Sequence, residues 1–574
     1  MNKLDLNKMA IIAKQNVKAN FKFATLSFIF IIFFVNVFQN IFGIENSIVG
    51  VIFTIMMSAS MARDMTGAPV KHLITQAAVL VFMACAACFV SYANPLIALP
   101  INFITIFVIL YSFTYEYSTH LYFPYILSYL FMVFISPVTP IQLPKRIIAM
   151  LVGAVCIICY QIFMGRNRVH ETARDVLCTI LDDAQECIGN LINSEPLPDN
   201  LDKIRQNLCR LSRIVYERRK KVLRISDASF AMVDSGRGLE NLVILLHGLE
   251  GKPETADSDF LKKLSAILVQ YEKFVKKKPQ QIEHINLSDM SPKNSELARI
   301  CKALEYVREN LLKMAHPDSK RHYHRTRLSF MVRLKAALDI SQVRIVYSLR
   351  IGLLLAVCTM TVQLMGLPHG KWLLFTVASV SLPYADDIGL KAKKRFMATA
   401  VGGLFSLVAY SLIPSAAGRT ALMMASGYMS FYMKDYTTTF ACSTVGALGG
   451  AVFGGIFGWE QVGGMFLIRL IYICIGIAVA FVANCIILPY KRETAIRQLW
   501  EKYAATTQML TEICRESDPD PQLYYSLVIQ AHLQENKLCQ SAVEHGWDDL
   551  KAAVIRYRNN IRLAHCESAI GVGN

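Results

Sequence analysis

Apolar runs of about 20 residues occur in two groups along this chain, and they restrict its fold more than any other pattern. A helix needs about 20 mainly apolar residues to span a bilayer. The predicted spans are residues 23–42, 47–62, 72–92, 96–115, 121–136 and 147–165, and residues 345–365, 372–383, 397–412, 421–433, 439–457 and 466–488. The sequence therefore predicts an all-α membrane protein with two parallel six-helix transmembrane repeats and cytoplasmic helical domains.

Charged segments flank and separate the two groups. Lys and Arg accumulate on the cytoplasmic side of a membrane, and if the spans alternate, the lysines of residues 1–22 face the same side as Arg166 and Arg168. The predicted domains are a basic amphipathic cytoplasmic N-terminus (1–22), a first transmembrane repeat (23–165), a cytoplasmic helical bundle (166–342), a second transmembrane repeat (343–489) and a cytoplasmic helical tail (490–574). Both termini are expected in the cytoplasm and the spans in the inner or plasma membrane.

The segment 166–342 shows helical periodicity. Apolar residues recur on one helix face at Ala173, Leu177, Ile180, Leu181, Ala184 and Ile188. Prolines and glycines interrupt this pattern further along the segment. We expect a bundle of about five helices there.

Matching residues in the two groups stand at a constant offset of 323. Gly43 matches Gly366, and further matches are Asp64 with Asp387, Arg146 with Arg469 and Gly153 with Gly476. A fixed offset over this length indicates an internal duplication.

Composition narrows the possible functions. The hydrophobic fraction is 54% and the formal net charge is +17, with a mean hydropathy of +0.36. Basic runs such as residues 319–327 are not accompanied by a nucleic-acid recognition motif, so membrane lipid is the expected partner and nucleic acid is not.

Catalytic and metal-binding motifs are absent from the sequence. No P-loop, zinc-protease helix or nucleophile elbow occurs, so we predict that the protein is not an enzyme and takes no cofactor. The chain has 15 cysteines, but its two C-x-x-C pairs have no nearby histidine or second pair. We therefore predict no metal site.

Ionisable residues close to apolar spans are candidates for transport chemistry, because burying a charge in a bilayer costs several kcal/mol. The candidates are Arg350, Arg469 and Arg146, and, in loops, Asp387, Asp64, Glu116 and His120. The alternative for each residue is local pairing at the membrane edge. The tyrosines and phenylalanines of residues 111–131 form either an interfacial belt or a lining that stacks aromatic rings.

Glycines recur at four-residue spacing at Gly446, Gly450, Gly454 and Gly458. Small residues on one face let helices approach closely in lipid. The pattern predicts a packing seam, within one chain or between the two chains of a homodimer.

Four segments of the second group carry a family resemblance. They are YSLRIGLLLA with Arg350, GLPHGKW with Trp372, RFMATAVGG with Arg395, and RLIYICIGIAVAFVANCIILP beginning at Arg469. These segments resemble the fusaric acid resistance/aromatic acid exporter superfamily, and the order of spans and soluble segments is also similar. In the first group, His72 stands where Arg395 stands and no proline matches Pro383. We therefore expect any asymmetric chemistry in the second group.

The resemblance implies a secondary exporter of small organic anions such as aromatic carboxylates. Arg350, Arg395, Arg469 and Arg146 are expected to attract the carboxylate, and Trp372 is expected to hold the ring. Asp387, Asp64, Glu116 and His120 are the candidate proton carriers.

Two other functions stay open at this point. A distant similarity to plant malate channels implies a passive anion channel. Alternatively, the protein acts on the envelope or on lipid through its large polar bundle.

Overall fold

The computed structural model describes the chain apart from residues 1–2, 61–68, 115–121, 166–167, 219–223, 251–257, 277–293, 334–340, 414, 434, 453–458, 517 and 572–574. The described part is helical. Its first helices are α1 (Lys3–Phe42), α2 (Ser47–Ser60), α3 (Pro69–Tyr92), α4 (Pro95–Phe113), α5 (Tyr122–Phe134), α6 (Leu143–Gly165), α7 (Arg168–Asn193), α8 (Leu201–Arg218), α9 (Asp227–His247), α10 (Ser258–Lys276), α11 (Ser295–Ala315) and α12 (Pro317–Arg321). The later helices are α13 (Gln342–Leu364), α14 (Lys371–Val380), α15 (Ile388–Leu412), α16 (Ala416–Ser430), α17 (Tyr436–Val452), α18 (Trp459–Val482), α19 (Arg492–Arg515), α20 (Pro521–His545) and α21 (Asp548–Gly571).

The chain folds into two compact units. The first contains residues 1–62, 71–159 and 341–495, and the second contains residues 63–70, 160–340 and 496–574. The first unit thus holds most of both predicted transmembrane groups, and the second holds most of the predicted bundle and tail.

Seven helices of the described residues are long and apolar enough to cross a membrane. They are Ala24–Phe42, Pro69–Tyr92, Pro95–Phe113, Leu143–Phe163, Gln342–Leu364, Ala385–Leu412 and Glu460–Ile487. Three shorter apolar helices are Ile44–Met57, Tyr122–Phe134 and Lys371–Val380. The arrangement as two six-helix repeats and the cytoplasmic position of the polar helices stay predictions.

A glycine with positive φ precedes each of the two short helices α2 and α14. Gly43 has φ 92° and Gly366 has φ 56°, values that glycine adopts without the steric penalty of a Cβ. The two glycines stand at the repeat offset of 323. The same backbone device therefore ends the first long helix of each group and starts a short one.

Helix α14 is too short to span a membrane and is buried within the first unit. Ten residues of helix extend about 15 Å, half of a hydrocarbon core of about 30 Å. From Trp372 to Val380, all side chains except that of Phe375 are buried. Interrupted helices of this kind mark the binding sites of many transporters.

The second unit is a helical bundle whose core follows the predicted pattern. The predicted apolar face of α7 is buried, with Leu177, Ile180 and Leu181 fully inaccessible to solvent. This prediction is confirmed because the amphipathic period identified the inward face.

Close packing of α15 against α17 depends on Gly402. A Cβ at Gly402 would lie 2.5 Å from the Ala441 carbonyl oxygen, whereas a Cβ at Gly450 would meet no atom within 4 Å. We expect Gly402→Ala to lower the thermal unfolding midpoint, because overpacking costs about 1–3 kcal/mol. The matched control Gly450→Ala should leave the midpoint unchanged or raise it, since alanine favours helix. Equal midpoints for the two variants would contradict this assignment of the contact.

Candidate functional site

Two arginines of the second group are buried beside the short helix α14. Arg395 on α15 and Arg469 on α18 are each 5% exposed. The Arg469 Cζ lies 5.1 Å from the centroid of the Trp372 ring, and the Arg395 Cζ lies 4.5 Å from that of Phe440. Each guanidinium therefore stacks on an aromatic face in a cation–π contact.

These two guanidiniums are incompletely paired. Arg469 Nε and Nη1 and Arg395 Nε are buried without a hydrogen-bond partner. Within the described part of the chain, neither arginine forms an ion pair with a carboxylate. A buried charge is normally paired, because an unpaired donor carries the full desolvation penalty. The positive charge of this pair is therefore not offset by a described carboxylate, and part of its hydrogen-bonding capacity is unused.

Further polar groups face the same two cations. Arg395 and Arg469 lie close enough to repel each other. The Tyr436 hydroxyl lies near Arg395 and near Ser379 of α14 but is buried without a hydrogen-bond partner, and Lys391 lies over the Tyr436 ring at 5.1 Å. Sequence reasoning missed Tyr436, which precedes the predicted span 439–457, and Phe440 within that span, although their i, i+4 spacing places both on one helix face.

His369 completes the surroundings of Trp372. Its ring stacks on the indole at a centroid distance of 5.0 Å and an angle of 18°. The backbone of His369 has a φ of 58°, an uncommon value for a residue with a side chain. The turn before α14 thus brings His369, Trp372 and Arg469 together.

Arg350 and Arg146 are held mainly by backbone carbonyls, although Arg350 Nε is also buried without a partner. Arg350 donates to the carbonyls of Leu488, Leu382 and Pro383 at 2.8–3.1 Å. Arg146, which is 1% exposed, donates to Asn46 Oδ1 at 2.9 Å, to the Ser136 carbonyl at 2.8 Å and to the Glu45 carbonyl. These contacts tie loops to helices and favour a structural role for both residues.

Of the four predicted proton carriers, the structure describes Asp387. Asp387 pairs with Arg492, whose Nη2 lies 2.9 Å from Oδ2 and 3.1 Å from Oδ1. A proton carrier at this position would exchange that ion pair for a proton. Asp64, Glu116 and His120 lie outside the described residues.

The structure describes two of the four glycines of the predicted packing seam, Gly446 and Gly450. A Cβ at Gly446 would make an ordinary contact with Ser426 at 3.5 Å, while Gly450 faces open space. Gly454 and Gly458 lie outside the described residues. The tighter approach in this helix is at Gly449, where a Cβ would come within 2.2 Å of the Tyr410 hydroxyl.

The described aromatic side chains of residues 111–113 and 122–131 pack on one another, on buried amides and on the second group, where Tyr122 contacts Tyr347 and Phe131 contacts Phe375. Phe113 stacks on Tyr125 at 3.5 Å, and the Tyr125 hydroxyl donates to Gln76 at 2.6 Å. Tyr129 similarly donates to Asn102 at 2.8 Å. The contacts of Tyr125 and Tyr129 form a satisfied internal network in the first group.

One set of side chains in the second unit has metal-ligand chemistry. The ligand atoms of Asp227, His322 and His324 lie within 4.8 Å of one another. His322 Nδ1 lies 2.6 Å from the Asp227 carboxylate, which is the distance of a direct hydrogen bond. A hydrogen bond accounts for this contact, and the absence of a metal stays a prediction.

The described fold defines a helical membrane protein with a buried cationic and aromatic cluster beside an interrupted helix. Residues 355–483 match the family model described as fusaric acid resistance protein-like. This match confirms the resemblance drawn from the sequence and includes Trp372, Arg395 and Arg469. No curated protein and no solved structure matches the chain. Together, the family match and the apolar helices indicate a multi-pass membrane protein of the transporter type.

Proposed function

We propose that the protein is a secondary exporter of small aromatic carboxylates in the inner or plasma membrane. Arg395 and Arg469 bind the carboxylate, and the rings of Trp372 and Phe440 pack against the aromatic body of the substrate. The observation that carries this proposal is the pair of buried guanidiniums with unpaired N–H donors on aromatic faces. Arginine suits this role because its fork of donors matches a carboxylate.

The membrane potential supplies a driving force of the right size. An interior-negative potential of 100 mV contributes about 2.3 kcal/mol per charge. A monovalent carboxylate can therefore leave against a gradient of roughly 50-fold without a coupled ion. Proton exchange, with Asp387 as a described candidate carrier, extends export to steeper gradients.

Transport by the purified full chain in proteoliposomes tests the proposal. Vesicles loaded with radiolabelled benzoate should release it faster than protein-free vesicles when the potential favours anion exit. Benzamide, which has the same ring and no charge, should show no protein-dependent release. Equal protein-dependent release of the two compounds would overturn the assignment.

The same vesicles separate a carrier from a passive anion channel. A channel gives benzoate currents in planar bilayers without a pH gradient, at rates far above carrier turnover. A carrier gives saturable flux that responds to an imposed pH gradient when protons are coupled. Channel currents would be consistent with the proposed anion site but would contradict the exporter mechanism.

A further inference from the structure

The second unit contains a partly open cavity of about 1230 Å³. Helices α8, α9, α11, α20 and α21 supply most of its walls. Ligand pockets typically measure about 300–1,000 Å³, and voids larger than a water molecule are few in a packed protein core. A cavity of this size therefore requires an explanation beyond imperfect packing.

The cavity is lined by apolar residues and by charged residues of both signs. Leu208, Ile244 and Val528 are among the apolar residues that line it. On α21, Arg558 and Arg562 lie one helical turn apart on the same face of the helix. Such a lining suits a ligand with an apolar body and an anionic group.

The arginines of α21 retain unused donors. Arg558 pairs with Glu535 and its side chain is 14% exposed, yet its Nε and Nη1 are buried without a partner. Arg562 donates from Nη1 to the Asn241 amide oxygen at 3.3 Å, and its Nε is also unpaired. In the part of the chain that the structure describes, no carboxylate pairs with Arg562.

The other ion pairs around the cavity are already closed. Arg237 lies 2.7 Å from Asp234, and Arg205 lies 3.1 Å from Glu240. The uncommitted donors are thus concentrated on Arg558 and Arg562.

Two partly buried histidines, His532 and His565, line the cavity. Burial, with added repulsion from Arg237 and Arg558, lowers the pKa of His532 to about 3. Burial, with repulsion from Arg237, lowers the pKa of His565 to about 4. Both imidazoles are neutral at neutral pH, so they line the site without competing with an anion for the arginines.

We infer that this cavity is a second ligand site, which binds an organic anion through Arg558 and Arg562. The carboxylate or other anionic group of the ligand accepts hydrogen bonds from the unpaired guanidinium donors, and the apolar lining residues cover its body. The site lies in the polar unit and stands on different residues from the proposed transport site. It therefore gives the second unit a binding function of its own.

Photolabelling of the purified full chain tests the site. The probe is 4-benzoylbenzoate, an aromatic carboxylate that crosslinks on illumination, and mass spectrometry maps the labelled peptides. We expect saturable labelling of peptides from α20 or α21. Neutral benzophenone should need at least about tenfold higher concentration, since a charge-assisted hydrogen bond contributes about 1.5–3 kcal/mol. Equal labelling by the two probes would overturn the inference.

Variants of the chain make the test residue-specific. Arg562→Gln should raise the half-labelling concentration at least tenfold, whereas Arg556→Gln, at an exposed position on the same helix, should not change it. Asn241→Asp places a carboxylate beside Arg562 and should weaken labelling equally without removing the arginine, which keeps the test valid if Arg562→Gln folds poorly. Unchanged labelling in a folded Arg562→Gln or Asn241→Asp variant would contradict the role of Arg562.

The two proposed sites can fail independently. A substitution at Arg469 should remove transport and leave labelling of α20 and α21 unchanged. Label found only near α14 and α18 would support the transport site and reject the cavity.

Discussion

Arg469→Met is expected to lower benzoate transport by about 30-fold or more while leaving the protein at least as stable as the unmodified chain. The loss follows because truncating one partner of a buried charge pair costs about 2–5 kcal/mol of binding. Stability is preserved because two donors of Arg469 are buried without partners, and methionine removes a charge that the empty site does not stabilise. Transport is measured at subsaturating benzoate, and stability is measured as the thermal unfolding midpoint.

Two controls define what the Arg469 result means. Arg497→Met removes an arginine whose side chain is 83% exposed and should change neither measurement. Arg469→Lys keeps the charge and loses the planar fork, so it should retain only part of the activity. A lower unfolding midpoint in Arg469→Met, with normal flux per folded molecule, would make Arg469 a structural residue instead.

The sequence predicted where helices lie along the chain better than how deeply each helix is buried. Periodicity located the buried face of α7, and the apolar runs located the long helices. The sequence analysis placed residues 372–383, which contain most of α14, among the membrane spans. Helix α14 is nevertheless too short to cross a bilayer and is almost wholly buried. Hydropathy could not reveal this, because a buried half-helix and a short span have the same apolar composition.

For the candidate site, too, the sequence located the residues better than it predicted their contacts. The motif GLPHGKW and the arginines identified where charge lies in the second group, but not which guanidinium is held by backbone carbonyls. That property depends on carbonyls brought within about 3 Å by the tertiary fold, as at Leu382 and Leu488 for Arg350. The four-residue glycine spacing was limited in the same way. It predicts which residues share a helix face, but it does not predict which side chains pack against that face. Closer contacts than those at Gly446 and Gly450 occur at Gly402, Gly403 and Gly449.

Arg146→Met is expected to have the opposite effect to Arg469→Met. The substitution leaves the Ser136 carbonyl and the buried Asn46 amide oxygen without the donor that Arg146 supplies, while the Glu45 carbonyl keeps the Ser136 hydroxyl as a donor. Each unsatisfied buried acceptor costs about 1–3 kcal/mol, so the free energy of unfolding should fall by about 2 kcal/mol or more. The midpoint can be followed with a thiol-reactive dye as buried Cys88 and Cys358 become exposed.

The neighbouring residue provides the control for Arg146. Lys145 is exposed, so Lys145→Met should leave the unfolding midpoint unchanged. Arg146 and Arg469 occupy matching repeat positions at the offset of 323. The guanidinium of Arg146 nevertheless donates to carbonyls, whereas that of Arg469 retains buried donors without partners. If the folded fraction of Arg146→Met transports normally while Arg469→Met does not, the anion site belongs to the second group alone. A stable Arg146→Met variant that has lost transport would instead place anion binding in both groups.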